Sequence, residues 1–170
     1  MKIGAPHVVD HGPENVYSPD GAVYMVAMGC PSATSSSDPA YNCSWISGDA
    51  IFVLRVKNVH PAIPSTMNNV DNWEFAASSS TSGEKWTHHL KDAEPVFVWP
   101  GRVGTVTATY WKERTSYLFC VTTPTVMPLT VSTFDSYVLM ADDLFGGSDG
   151  FKVRHLIFFM FFFYCCLSLY

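Results

Sequence analysis

The sequence predicts an all-β protein: a partial β-propeller of about two four-stranded antiparallel blades, with a β-sandwich as the alternative architecture. Three observations carry this. Aromatic residues make up 15% of the chain, which also holds eleven Gly and eleven Pro among many Val, Thr and Tyr, a mixture that favours short strands joined by tight turns. Apolar runs bounded by Gly, Pro, Asn or Asp recur along the chain, and no long segment shows apolar residues at helical spacing. The opening pattern also reads as a unit used twice, on the spacing given below.

Taken in order, the expected strands are HVVD (7–10), NVYS (15–18), AVYMVAMG (22–29), DAIFVLRV (49–56), WEFAAS (73–78), PVFVW (95–99), GTVTATYW (104–111), SYLFCVTT (116–123) and DSYVLMAD (135–142). Pro19-Asp20-Gly21 supplies the first tight turn, because Pro presets φ and Gly accepts a positive one. The segments 31–48 and 57–72 are rich in Ser, Pro and Asn and read as loops. Tyr17 and Tyr24 recur 93 residues later as Tyr110 and Tyr117, each pair followed by an apolar run. Asp49, which opens DAIFVLRV, recurs 86 residues later as Asp135 at the head of DSYVLMAD. A repeated unit of strand, hairpin, strand, loop and strand reads as propeller blades, and two units fall short of the roughly four to eight that close a ring.

Composition also excludes functions. With 48% hydrophobic and 15% charged residues the chain can bury a core of one-domain size. A net charge of −5, with ten Lys and Arg placed singly, leaves no basic face for phosphates, so no nucleic-acid partner is expected. The five cysteines lack CxxC or Cys/His ligand spacing, so no metal and no cofactor are expected. Cys30 and Cys43 flank one loop and read either as a disulfide of an oxidising compartment or as two buried thiols; Asn42-Cys43-Ser44 matches a glycosylation sequon. There is no GxSxG, and FGGSDG (145–150) lacks the Lys and following helix of a phosphate-binding loop.

The segments HVVDHGPENVYSPDGAVYMVAMGC, SWISGDAIFVLRV, NWEF, PVFVWPGRVGTVTATY, YLFCVTT and YVLMADDLFG, spanning residues 6–150, together resemble proteins with the domain of unknown function 4185 and, more distantly, the five-bladed propellers of glycoside hydrolase family 43. The resemblance implies a secreted, carbohydrate-active propeller, with a polysaccharide or oligosaccharide partner and carboxylates cleaving glycosides at the channel mouth. This chain has Met28-Gly29 where the pattern has His-Gly, and the closing blades are absent.

Glycoside cleavage needs two carboxyls, roughly 5 Å apart or about 6.5–9.5 Å apart. Blade topology is expected to bring Asp10, leading into the inner strand, and Asp49, opening the third, to one face, with Asp20 on the other as a turn residue. Asp10 is then the candidate base or nucleophile, with Asp49 or Asp135 as acid or tuning partner; ordinary turn acids are the competing reading. His11, Trp45 and Arg102 are candidate sugar contacts through hydrogen bonding, ring stacking and charge, against readings as a surface histidine, a tryptophan packed under a loop and a surface arginine. His7 reads with His11 as polar surface, Glu74 as structural and His88-His89 as solvent-facing.

The domain division is 1–152 for the partial propeller and 153–170 for an apolar tail. From Leu156 to Tyr170 only Ser168 is polar, a run shorter than the roughly 20 residues of a bilayer-spanning helix. The tail is expected to be non-native coding, with a short membrane anchor as the other reading. MKIGAPHVVDHG lacks the basic start and apolar stretch of an export signal, so either the chain is cytoplasmic or its natural N-terminus lies upstream, as expected for a fragment of an extracellular parent with little activity of its own.

Overall fold

A computed structural model describes residues 2–31, 47–57, 64–77, 86–124, 134–145 and 150–156 and is all-β, with two antiparallel sheets. The first sheet runs β1 (Lys2–Val8), β2 (Val23–Cys30), β3 (Gly48–Val56), β4 (Trp73–Ala76) and β5 (Trp86–Thr87), and β6 (Phe97–Val103) pairs with the start of β3. The second sheet runs β7 (Val106–Trp111), β8 (Ser116–Pro124), β9 (Phe134–Ala141) and β10 (Lys152–Leu156). The strand β10 pairs with β9 through Leu156, so the second sheet continues four residues into the segment expected to be tail. Residues 157–170, with Asn42, Cys43 and Trp45, lie outside the described residues.

The repeat read from the sequence holds in the strand register. In the first sheet Tyr24 pairs with Arg55 and Gly29 with Ala50; in the second Tyr117 pairs with Ala141 and Thr122 with Ser136. Both sets obey the same offsets of 93 and 86 residues. The inner strands do not: Val26 lies opposite His7, whereas Phe119 lies opposite Ala108. Tyr110 therefore occupies the place of Val9, and Tyr17 has no counterpart.

NVYS forms no strand, which corrects the expected opening hairpin. Pro13–Asn15 is a 3-10 turn, with positive φ at Gly12, Glu14 and Asn15. Pro13 has no N–H to donate and those backbone angles turn the chain away from an extended course. Residues 9–22 become one long connection, and β2 pairs instead with a strand that begins at Lys2.

The way the sheets meet follows from alternation along each strand. Tyr24, Val26, Met28 and Val53 share one buried cluster with Tyr117, Phe119, Val121 and Leu139. These are equivalent positions in the two copies. Blades rotated about a common axis stack the front of one on the back of the next, whereas here like faces meet, as in the two sheets of a sandwich. Two sheets without a closed barrel among the described residues fit both expected architectures; it is this like-to-like contact that the sandwich shares.

The opposite face of the first sheet buries Met25, Ala27, Phe52 and Leu54 with Phe75 and Ala93. Gly29 is required by this close packing: a Cβ there would lie 2.6 Å from the Lys2 carbonyl and 2.7 Å from the Phe52 ring. At Gly4 the nearest atom to such a Cβ is the Met28 sulfur, at 3.9 Å. Gly29→Ala is expected to cost about 1–3 kcal/mol by overpacking, and Gly4→Ala to be tolerated, as read from urea midpoints at constant slope. Equal midpoints for the two variants would contradict the contact.

Candidate functional site

The register corrects the expected grouping of carboxylates. Asp10 follows the end of β1, in the connection 9–22, and its backbone bridges to Thr109 of β7. Asp49 stands at the start of β3, level with Cys30, whereas Asp10 is level with the start of β2. At about 3.3 Å per residue the two are roughly 20 Å apart. Asp135 lies opposite Thr123, at the same end as Asp49 and more than about 15 Å from Asp10 along the strands. A glycosidase pair needs its carboxyls within about 10 Å, so Asp10 pairs with neither. The blade rule failed because Asp10 closes an inner strand rather than opening one.

Each candidate then has a local role. Asp49 accepts the Gly101 N–H at 2.8 Å, tying β3 to the bend in β6. Arg102 is exposed beside it, its guanidinium 6.0 Å from the Trp99 ring centroid. Asp135 is half-buried at the head of β9. Asp10 is exposed, and one of its carboxylate oxygens accepts the Gly12 N–H at 2.8 Å. Asp20 lies at the Asp10 end rather than the far one, and accepts the Ala22 N–H at 3.0 Å.

His11 departs most from its expected place. Only 1% exposed, it sits between the sheets, its Nε2 3.1 Å from the Tyr117 hydroxyl. The rings of Tyr24 and Tyr117 stand edge-on to it at 5.5 and 5.6 Å, and Tyr110 lies at 6.4 Å. Tyr17 stacks on Tyr110 at 5.7 Å, so the four tyrosines picked out by the repeat form one column with His11. Burial pushes the His11 pKa below its ordinary value, against the opposing pull of Asp10, the Val9 carbonyl and Asp20. Burial likewise pushes the Tyr117 hydroxyl up, helped by Tyr24, Tyr110 and the acids Asp143 and Asp20, so it keeps its proton. The sequence carried no signal for this, because the partners of His11 are distant in the chain.

Beside the column lies a buried cation that the sequence reading did not single out. Arg55, 8% exposed, bonds Asp20 at 2.9 Å and Glu74, and its guanidinium covers the Trp86 ring at 3.9 Å. Lys57 reaches Glu74 at 3.3 Å and His88 lies 3.8 Å from it. Burial pushes the Glu74 carboxyl up, but hydrogen bonds from Arg55 and Lys57 outweigh it and hold the pKa below the ordinary value. Glu74 is structural, as expected. The signal for Arg55 was an arginine inside the apolar run DAIFVLRV, level with Glu74 on the next strand.

Above His11 an open depression of about 350 Å³ is lined by residues 8–12, Asn15 and Val23. Gly12 shapes its wall with φ 78° and ψ −179°, a region open essentially to glycine, and a Cβ there would lie 2.8 Å from the Tyr17 ring. Glu14 and Asn15 hold φ of 54° and 61°, and the Asn15 amide donates to the Ala22 carbonyl at 2.9 Å. The lining thus combines the Asp10 carboxylate and the Asn15 amide, and the Tyr17 ring packs against Gly12. Among the described residues no group of His, Cys, Asp and Glu is arranged to hold a metal. Cys30 is disulfide-bonded, its partner lying outside the described residues. No protein-family model matches the chain, and no curated protein does either.

Removing Arg55 leaves Asp20 without its cation and Glu74 with Lys57 as its nearest cation, so Arg55→Ala is expected to cost about 1–3 kcal/mol in urea unfolding. Because the folded pKa of Glu74 is lowered, its stabilisation is present above the ordinary carboxyl value of 4.5 and is lost as pH falls through the folded one. Glu74→Gln is expected to flatten the stability profile in that acid range. A variant profile as steep as the parent's would show that Glu74 is not the group responsible.

Proposed function

We propose that the chain is a non-catalytic, carbohydrate-binding all-β module of an extracellular protein, contacting its ligand at the rim of the Asp10 depression. The observation that carries this is the separation of the acids. Asp10, exposed at the depression, can accept hydrogen bonds from sugar hydroxyls, and neither Asp49 nor Asp135 lies close enough to act with it as the second carboxyl of a glycosidase pair. The resemblance to carbohydrate-active propellers supports the ligand class, and the disulfide at Cys30 supports an oxidising compartment.

Glycan-array binding of the expressed chain, with reducing-sugar release measured on the same glycans, tests the reading. Saturable binding without release is expected, weakened about tenfold in Asp10→Asn through loss of a charge-assisted hydrogen bond. Sugar release that Asp10→Asn abolishes would replace binding with hydrolysis. No binding by chain shown to be folded would remove the carbohydrate reading altogether.

A further inference from the structure

Residues 9–11 occupy an unusual place. The Val9 N–H donates to the Tyr24 carbonyl of β2 at 2.8 Å. The Asp10 N–H donates to the Ala108 carbonyl of β7 at 3.0 Å, and the Tyr110 N–H donates back to the Asp10 carbonyl at 2.8 Å. One short segment is therefore hydrogen-bonded to both sheets. The Tyr17 N–H donates to the His11 carbonyl at 3.0 Å and so anchors the rest of the connection to the same point. The side chain that fills the seam here is an imidazole rather than an aliphatic group.

We propose that His11 is an acid-sensitive latch: its protonation releases the connection 9–22 from the second sheet while the strand ladders of both sheets stay formed. In the neutral ring one nitrogen donates and the other accepts; protonation makes both donors. The Tyr117 hydroxyl can serve one of them. Nδ1 is buried without a well-formed hydrogen bond, and the Val9 carbonyl pulls the ring's pKa up by less than burial lowers it, so the added charge is poorly compensated.

The groups around the imidazole do not offset that charge. From its own segment comes Asp10, exposed and already bonded to the Gly12 N–H; from the connection come Tyr17 and Asp20, the latter held by Arg55. From β2, β7 and β8 come Tyr24, Tyr110 and Tyr117; burial raises the pKa of Tyr24 and Tyr117, so those two hydroxyls keep their protons and bring no negative charge to the ring. Arg55 of β3 and Asp143, just beyond β9, stand farther out, bearing on Tyr24 and Tyr117. The folded His11 pKa lies below its ordinary 6.5, so the latch is closed above that value and loosens as pH falls beneath it. Because the depression is walled by the same segment, its shape depends on the latch, whatever ligand it takes.

Amide hydrogen-exchange protection factors, corrected for intrinsic rates and measured at several pH values between 7 and 5, test this on the ligand-free chain. Protection at Asp10, Tyr17 and Tyr110 is expected to fall by up to about tenfold per pH unit, with Phe119 and Leu139 in the β8–β9 ladder unaffected. In His11→Gln the three amides should lose that pH dependence. Constant protection in the parent chain, equal loss in the ladder, or an unchanged profile in the variant would each overturn the latch. Should the variant not fold, NMR titration of the parent's His11 ring decides: its midpoint must coincide with the loss of protection, and a separate midpoint overturns the proposal.

Discussion

The structure depends on the seating of residues 9–11 between the sheets. Each sheet must bury its apolar face, and the apolar faces built on β2–β3 and β8–β9 meet where this segment joins them. Its backbone bonds run to Tyr24 on one side and to Ala108 and Tyr110 on the other. The aromatic contacts around His11 each contribute on the order of 1 kcal/mol beyond area burial. A histidine gains these contacts while exchanging its water for the Tyr117 hydroxyl and the weaker pull of the Val9 carbonyl, so burial favours the neutral ring. The strained turn at Gly12, Glu14 and Asn15 is the conformational cost of bringing the chain back from that seam to β2.

The ionic network complements the seam. Tyr24 is level with Arg55, and Arg55 is level with Glu74, so one row across three strands carries a phenol, a guanidinium and a carboxylate. Trp86 closes over the guanidinium and stands 5.8 Å from the Tyr24 ring. Partial exclusion of water strengthens each of these interactions and equally raises the cost of an unpaired member. Asp20 belongs to this row through its side chain, so the Pro-Asp-Gly turn does more than reverse the chain: it fixes the return of the connection against β3.

Both copies of the strand unit were legible from the sequence. Tyr24 with Tyr117 and Asp49 with Asp135 proved to hold equivalent register positions, because alternation and turn residues are local properties. Tyr17 and Tyr110 shared the spacing without sharing a position. Their equal separation arose from a longer connection in one copy and a tight turn in the other, and spacing alone cannot tell these apart. The acids went astray for the same reason. Which end of a sheet a residue occupies depends on where its strand starts to pair, and the pairing of β2 with Lys2–Val8 displaced Asp10 from the entrance of the inner strand to its exit.

The sequence by itself determined the all-β class, the positions of most strands and the two-fold use of one unit, since period-two alternation and Gly or Pro punctuation act over a few residues. Tertiary structure alone decided that like faces meet, that His11 is buried and that Asp10 stands apart from Asp49 and Asp135. Those outcomes rest on contacts between residues such as His11 and Tyr117, far apart in the chain, and on the end of each sheet at which a connection arrives. Neither leaves a mark in local periodicity.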